Sequence, residues 1–302
     1  MVASSRLAPQ RAANVRLKRE MNVANALAAT LAECTRHIRA NVAGAKRGRD
    51  PESLHQLRVG IRRLRAALST YRSAIEAAER HCVGRALRHF EHELGPTRDW
   101  DVLIGKLDQE MQAGAGRRQG VAGVIELAKI QRSTAHSDLA RAIGDLSIPK
   151  LLRRAQRLAA ARGAKINLDT PIKDFAIQEL DARDRRARRM GRRIGSLDAK
   201  ELHRLRICVK KLRYASEFFA GLWVQGATKD YFEALKALQE ELGNMQDAAT
   251  AARLVTGIRK ELQPAMDHSG KEAQRWAKVS RKRARRRIVR RWRDFKVAAR
   301  FW

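Results

Sequence analysis

His55, Arg58, Arg62 and Arg65 recur along one segment at helical intervals, and His203, Arg206, Lys210 and Arg213 do the same 148 residues later. The segments read LHQLRVGIRRLRA (54–66) and LHRLRICVKKLRY (202–214). Most of these side chains are cations and hydrogen-bond donors rather than nucleophiles. A guanidinium presents a planar fork that fits two phosphate oxygens at once, and an ammonium presents a compact point charge. One donor per turn, spaced about 5.4 Å, suits an extended string of anions better than a single ion. No acid occurs between 53 and 75, although arginines one turn apart repel each other by roughly a few tenths of a kcal/mol per pair. The neutralising charge is therefore expected from outside the chain. For His55 and His203 two readings stand side by side, a packed or capping residue and a direct anion contact.

Catalytic signatures are not found in the sequence. There is no GxxxxGK[ST] loop, no GxGxxG after a strand and no GxSxG elbow. His89 and His92 in HFEHE are i,i+3 neighbours, a conceivable metal pair, but the HExxH spacing is missing. Asp99 and Asp101 follow a helix stop and read as N-caps. Cleaving a phosphoanhydride would need metal-holding carboxylates beside the basic stripes, and the stripes carry none. The expectation is a binding protein, not an enzyme, with no cofactor and no metal.

The elements that position the stripes are helices. Leu54, Leu57, Ile61, Leu64, Leu68 and Tyr71 follow 3,4,3,4,3 spacing and form one apolar seam, with the basic stripe centred about 120° around the wheel. Leu202, Leu205, Val209, Leu212 and Phe219 form the second seam. A first helix is expected over 14–43, closed by Gly44. A second is opened by Asp50 and Pro51, and a third runs from 76 to Gly95-Pro96. A fourth starts near Asp99, with more helix after the loop GAGRRQG (114–120). The plan then repeats: Asp169-Thr170-Pro171 opens a helix to about 194, and Ser196 or Asp198 opens the second motif helix. FEHELGPTRDWD (90–101) aligns with LQEELGNMQDAA (238–249) at the same offset of 148, matching Glu93 with Glu241 and Asp99 with Asp247. Two motifs sharing one offset indicate an internal duplication. The fold class is all-α: two pseudo-twofold-related four-helix bundles, 14–150 and 165–300, after a flexible N-terminus at 1–13.

The balance of charge agrees. The 302 residues carry 64 Lys and Arg against 32 Asp and Glu, a formal +32. A folded chain so charged repels itself, and a polyanion relieves it. From 271 to 300 there are 14 Lys or Arg against two acids. Trp276, Val279, Arg283, Arg286 and Val289 recur there at helical spacing, as do Ile288, Trp292 and Phe295. This predicts a basic helix with one apolar seam that serves as an auxiliary anchor, to the same polyanion or to nucleic acid. A histone-like nucleic-acid-binding protein is the alternative; 5% aromatic residues leave few platforms for stacking bases. Cys34, Cys82 and Cys208 are odd in number and widely spaced, which fits a reducing compartment. No apolar run reaches the roughly 20 residues of a membrane span, and the first residues lack a secretory signal's apolar core. The expected location is cytoplasmic, without membrane insertion.

The two motif copies, each followed by an ELG-type stop and an aspartate, resemble the conserved histidine α-helical domain, CHAD. The resemblance covers about 14–300. It implies two four-helix bundles facing each other across a basic groove or pore, binding of inorganic polyphosphate, and association with polyphosphate granules. Residue by residue it points to His55, Arg58, Arg62, Arg63 and Arg65, and to His203, Arg206, Lys210, Lys211 and Arg213. The ExExK signature of the triphosphate-hydrolysing domain found in some relatives is not present. Position 60 is glycine where its counterpart, Cys208, is larger, so the two motif helices are expected to pack differently there.

Overall fold

A computed structural model describes residues 8–113, 118–160, 163–224, 226–259 and 267–302. Its long elements among these residues are all helices: α1 (Val23–Arg47), α2 (Pro51–Thr70), α3 (Ala77–Glu93), α4 (Gly95–Ala113), α5 (Arg118–Asp145), α6 (Ile148–Arg157), α7 (Ile172–Met190), α8 (Ala199–Phe219), α9 (Lys229–Arg259) and α10 (Asp267–Val297). The start of the expected 114–120 loop, the head of the basic tail before 267 and residues 1–7 lie outside the described residues.

Local chemistry sets the motif helices. Asp50 accepts from the Glu52 amide at 2.8 Å, and Pro51 occupies the first turn of α2, where its missing N–H costs nothing. Asp198 and Glu201 close a reciprocal capping box on α8, at 2.7 and 2.8 Å. Both seams are inside: Leu57, Ile61, Leu64, Leu205, Val209 and Leu212 are fully buried. Beneath them Tyr71 stacks on Phe175 (5.4 Å between centroids), and Phe219 meets both rings edge-on. That cluster joins α7 and α8 to the end of α2.

Four boundaries differ from expectation. Residues 8–22 are irregular, with a turn at 19–20, rather than helical or free. They are held where Arg63 donates to the Ala13 carbonyl (2.9 Å) and Asn41 to that of Gln10 (2.9 Å), and Val15 and Leu17 are buried. Helix α1 continues through Gly44 and stops at Gly48, whose φ of 68° is the left-handed conformation glycine adopts freely. Helix α4 starts at Gly95, not Asp99, with Pro96 in its first turn; Asp99 and Asp101 are thus inside the helix and cap nothing. Helix α7 ends at Met190.

The order α1, α2, α3–α4, α5 recurs as α7, α8, α9, α10, with α6 between. Pro96 breaks α3 from α4, whereas its counterpart Asn244 lies within the unbroken α9. The starts of α1 and α7 meet in an antiparallel bridge between Asn22 and Pro171, with Val23 N–H to Thr170 at 3.0 Å and Ile172 N–H to Met21 at 3.0 Å. One large apolar cluster draws on both halves, and a smaller one around Leu107, Val124 and Val255 is shared by α4, α5, α9 and α10.

Candidate anion-binding groove

Helices α2 and α8 pack side by side, and α3 flanks them. Between the three runs a groove of 530 Å³. Helix α2 supplies Arg62 and Arg65, and Arg72 follows it; α3 supplies Arg80, His81 and Arg88, and α8 supplies His203, Arg206, Lys210 and Lys211. Glu91 is the one acid among the described residues that line it.

The cations are close enough to disturb one another. Partial burial, and then Arg62 and Arg206 beside it, bring the Lys210 ammonium down from 10.5 to about 7. Burial and Arg62 bring Arg58 down to about 10, and burial together with Arg62 lowers Arg206 as well, against the opposing pull of Asp247. Arg62, Arg206 and Lys210 have no ion-pair partner among the described residues, and the Nε atoms of Arg62, Arg80 and Arg206 are buried without a hydrogen bond. Unspent donors held together against their own repulsion are what a multivalent anion would satisfy.

At the α4 end of the row, burial and the Arg98 charge push His55 down to about 4, so its ring is neutral at ordinary pH. Arg58 Nη1 donates to the Glu91 carbonyl at 3.2 Å, and His203 Nδ1 lies 3.0 Å from Gln246 Oε1. Four of the ten motif residues do not line the groove: His55 and Arg58, at the α4 end of the row, and Arg63 and Arg213. Arg63 is 6% exposed, bonded to Ala13 and set over the Phe218 ring (5.7 Å). Arg213 turns to Gln239 (2.7 Å) and Glu217 (2.6 Å) and lies over Tyr214. Their positions flank the seam, where the 8–22 segment covers Arg63 and α9 covers Arg213.

Sequence reasoning about the stripes missed Arg72, Arg80, His81, Arg88 and Arg98. Arg80, Gly84 and Arg88 stand at i, i+4 and i+8, a legible signal for one basic face on α3. Arg98 lies beyond the Pro96 break and no periodicity links it to α2. Asp101, its carboxylate 3% exposed, accepts from Arg132 Nε at 3.0 Å, and Asp99 lies 3.5 Å from Arg253. His89 and His92 stand 3.8 and 3.5 Å from the Glu93 carboxylate on an exposed face. Among the described residues no group of three His, Cys, Asp or Glu is placed to hold a metal, and no helix is long and apolar enough to cross a membrane.

An all-helical chain with paired motif helices and a cationic groove between them defines a class. The CHAD domain family matches residues 29–256, and the chain belongs to that family. Inorganic polyphosphate is the ligand with which the family is associated. The crystal structure of the CHAD domain from the plant Ricinus communis is similar at a TM-score of 0.82 and 28% identity, over 97% of this chain and 98% of that one. PptA from Streptomyces chartreusis shares the fold at a TM-score of 0.66 and 16% identity, over 90% and 99%. No curated protein matches the chain significantly.

Proposed function

We propose that the protein binds inorganic polyphosphate in the α2–α3–α8 groove, without cleaving it, and that through this contact it attaches to polyphosphate granules. Arg62, Arg206 and Lys210 carry the reading: three cations from two facing helices, partly buried and free of any acid partner among the described residues. A linear polyanion laid along the groove meets Arg80 and Arg88 on one wall and His203 and Arg206 on the other. It supplies the hydrogen bonds these donors lack, and it releases its counterions as it binds.

The test is binding of long-chain polyphosphate to Arg62→Glu/Arg206→Glu/Lys210→Glu, with folding checked by circular dichroism. Affinity is expected to fall more than about tenfold, and the dependence on salt to become shallower as phosphate contacts are lost. Unchanged affinity in a folded variant overturns the site. Release of phosphate from polyphosphate by the wild-type protein overturns the non-catalytic part.

A further inference from the structure

Of the two expected lines on α10, Ile288, Trp292 and Phe295 are buried together with Ala277 and Ala284, whereas Val279, Arg283 and Arg286 are exposed and Trp276 and Val289 half-buried. The buried seam faces α9 and α5, and Arg188 of α7 lies over the Phe295 ring. Opposite that seam Arg275, Lys282, Arg286 and Arg293 are exposed. At 100° per residue these four fall within about 20° of one line, over about 27 Å of helix. Lys278 and Arg290, also exposed, stand about 60° to either side. From 275 to 293 there are 11 Lys or Arg and no acid. None of the six has an ion-pair partner among the described residues, whereas Arg287 pairs with Glu241 and Arg291 with Asp294. None of the described residues lining the groove comes from α10.

We propose that this ridge is a second, independent binding surface for duplex nucleic acid, read through its phosphates and without regard to sequence. The shape of the surface selects the partner. A polyphosphate strand laid on a convex rod touches one line of charge and leaves Lys278 and Arg290 unused. The major groove of a duplex, about 12 Å wide, admits a helix and sets phosphates on both of its walls. A membrane surface would need an apolar face to insert, and the apolar face of α10 is spent on the core. The ridge residues are Arg and Lys alone, which fits contact with the backbone rather than with base edges. The chain then holds nucleic acid on one side and its groove ligand on another.

The experiment measures binding of the full chain to labelled duplexes of about 20 base pairs and two unrelated sequences, longer than the ridge. It is repeated with long-chain polyphosphate and with phosphatidylserine vesicles. In Arg275→Glu/Lys282→Glu/Arg286→Glu/Arg293→Glu, duplex affinity is expected to fall at least about tenfold and the salt slope to shrink by about 3 to 4, while polyphosphate affinity stays within about threefold of wild type. The groove variant gives the opposite pattern, and wild type retains duplex when polyphosphate saturates it. Replacing the same four residues with Gln gives the same ordering if charge reversal impairs folding. Duplex affinity unchanged in both ridge variants overturns the proposal. So does loss of both ligands together from the ridge variants, or binding of wild type to vesicles and not to duplex.

Discussion

Arg65 on α2 is ion-paired with Glu91 on α3, and the equivalent place in the second half joins Arg213 to Gln239. Both members of the pair are displaced by 148, the offset found in the motifs. The contact recurs with its partners at one offset, and the two copies differ by one charge. Asp99 on α4 also reaches Arg253 on α9, while its counterpart Asp247 on α9 reaches Lys106 on α4 at 3.2 Å; the acids keep the offset and the bases miss it by one position.

Glu91 is thus a brake on the groove. It supports the protonated forms of Lys210, Arg206 and Arg58 and competes with a ligand for Arg65. Glu91→Gln makes the first half resemble the second. Polyphosphate affinity is expected to rise roughly two- to fivefold, with a steeper salt dependence, and stability to fall by less than about 1 kcal/mol, the scale of a partly exposed pair. Titration at two salt concentrations checks it, and an affinity that drops would show Glu91 to be a ligand-positioning residue instead.

Lys210 makes binding depend on pH. Its folded pKa, about 7, lies below the ordinary 10.5. Between those values the unfolded chain holds the proton and the folded chain does not, so the free protein's stability rises with pH across that window. A polyanion favours the charged ammonium, so binding takes up a proton. Affinity is expected to decline as pH rises above about 7, by up to tenfold per unit at the limit of one proton. Lys210→Arg keeps its charge and should flatten the profile. Calorimetry in two buffers of different ionisation enthalpy reads the proton directly.

The motif helices were legible because two signals coincide in them, an apolar seam of helical period and caps at Asp50 and Asp198. The groove was only half legible. A stripe one position from the seam looks equally exposed along its length, yet α9 covers Arg213, and the irregular 8–22 segment covers Arg63. Which end of a stripe stays open is decided by segments remote in sequence. The α4 start was misread because Gly95-Pro96 signals a stop, while proline is equally at home in a first turn. For the same reason Asp99 and Asp101 were mistaken for caps.

Asp184 is a test of the second half's core. Fully buried, it accepts from the Tyr231 hydroxyl (2.9 Å), Arg188 Nε (2.8 Å) and Arg300 Nη2 (2.7 Å), so one carboxylate ties α7 to α9 and to the C-terminal residues. Asp184→Ala leaves three donors without their acceptor. The expected loss is on the order of 3 kcal/mol, the low end for a broken buried pair because Arg188 and Arg300 keep part of their hydration. Denaturant unfolding measures it. The groove lies on other helices, and polyphosphate affinity in the folded fraction should be unchanged.

At Gly60, α2 lies close against α1. A Cβ there would stand 2.8 Å from Ile38 Cγ1 and 3.3 Å from the Ile38 backbone nitrogen, so the neighbour that must yield is partly main chain. Alanine is the better helix former by about 1 kcal/mol, and overpacking a core costs about 1 to 3 kcal/mol. The second effect wins at Gly60, and Gly60→Ala is expected to lower stability and, by displacing α2 with Arg62, to weaken polyphosphate binding. Gly243, within α9, has open space where its Cβ would go, so there the propensity acts alone. Gly243→Ala is expected to raise stability by about 0.5 to 1 kcal/mol and leave binding as it was. Thermal melts of the two variants should therefore move in opposite directions, and a shared direction would mean that α1 can retreat from α2 without strain.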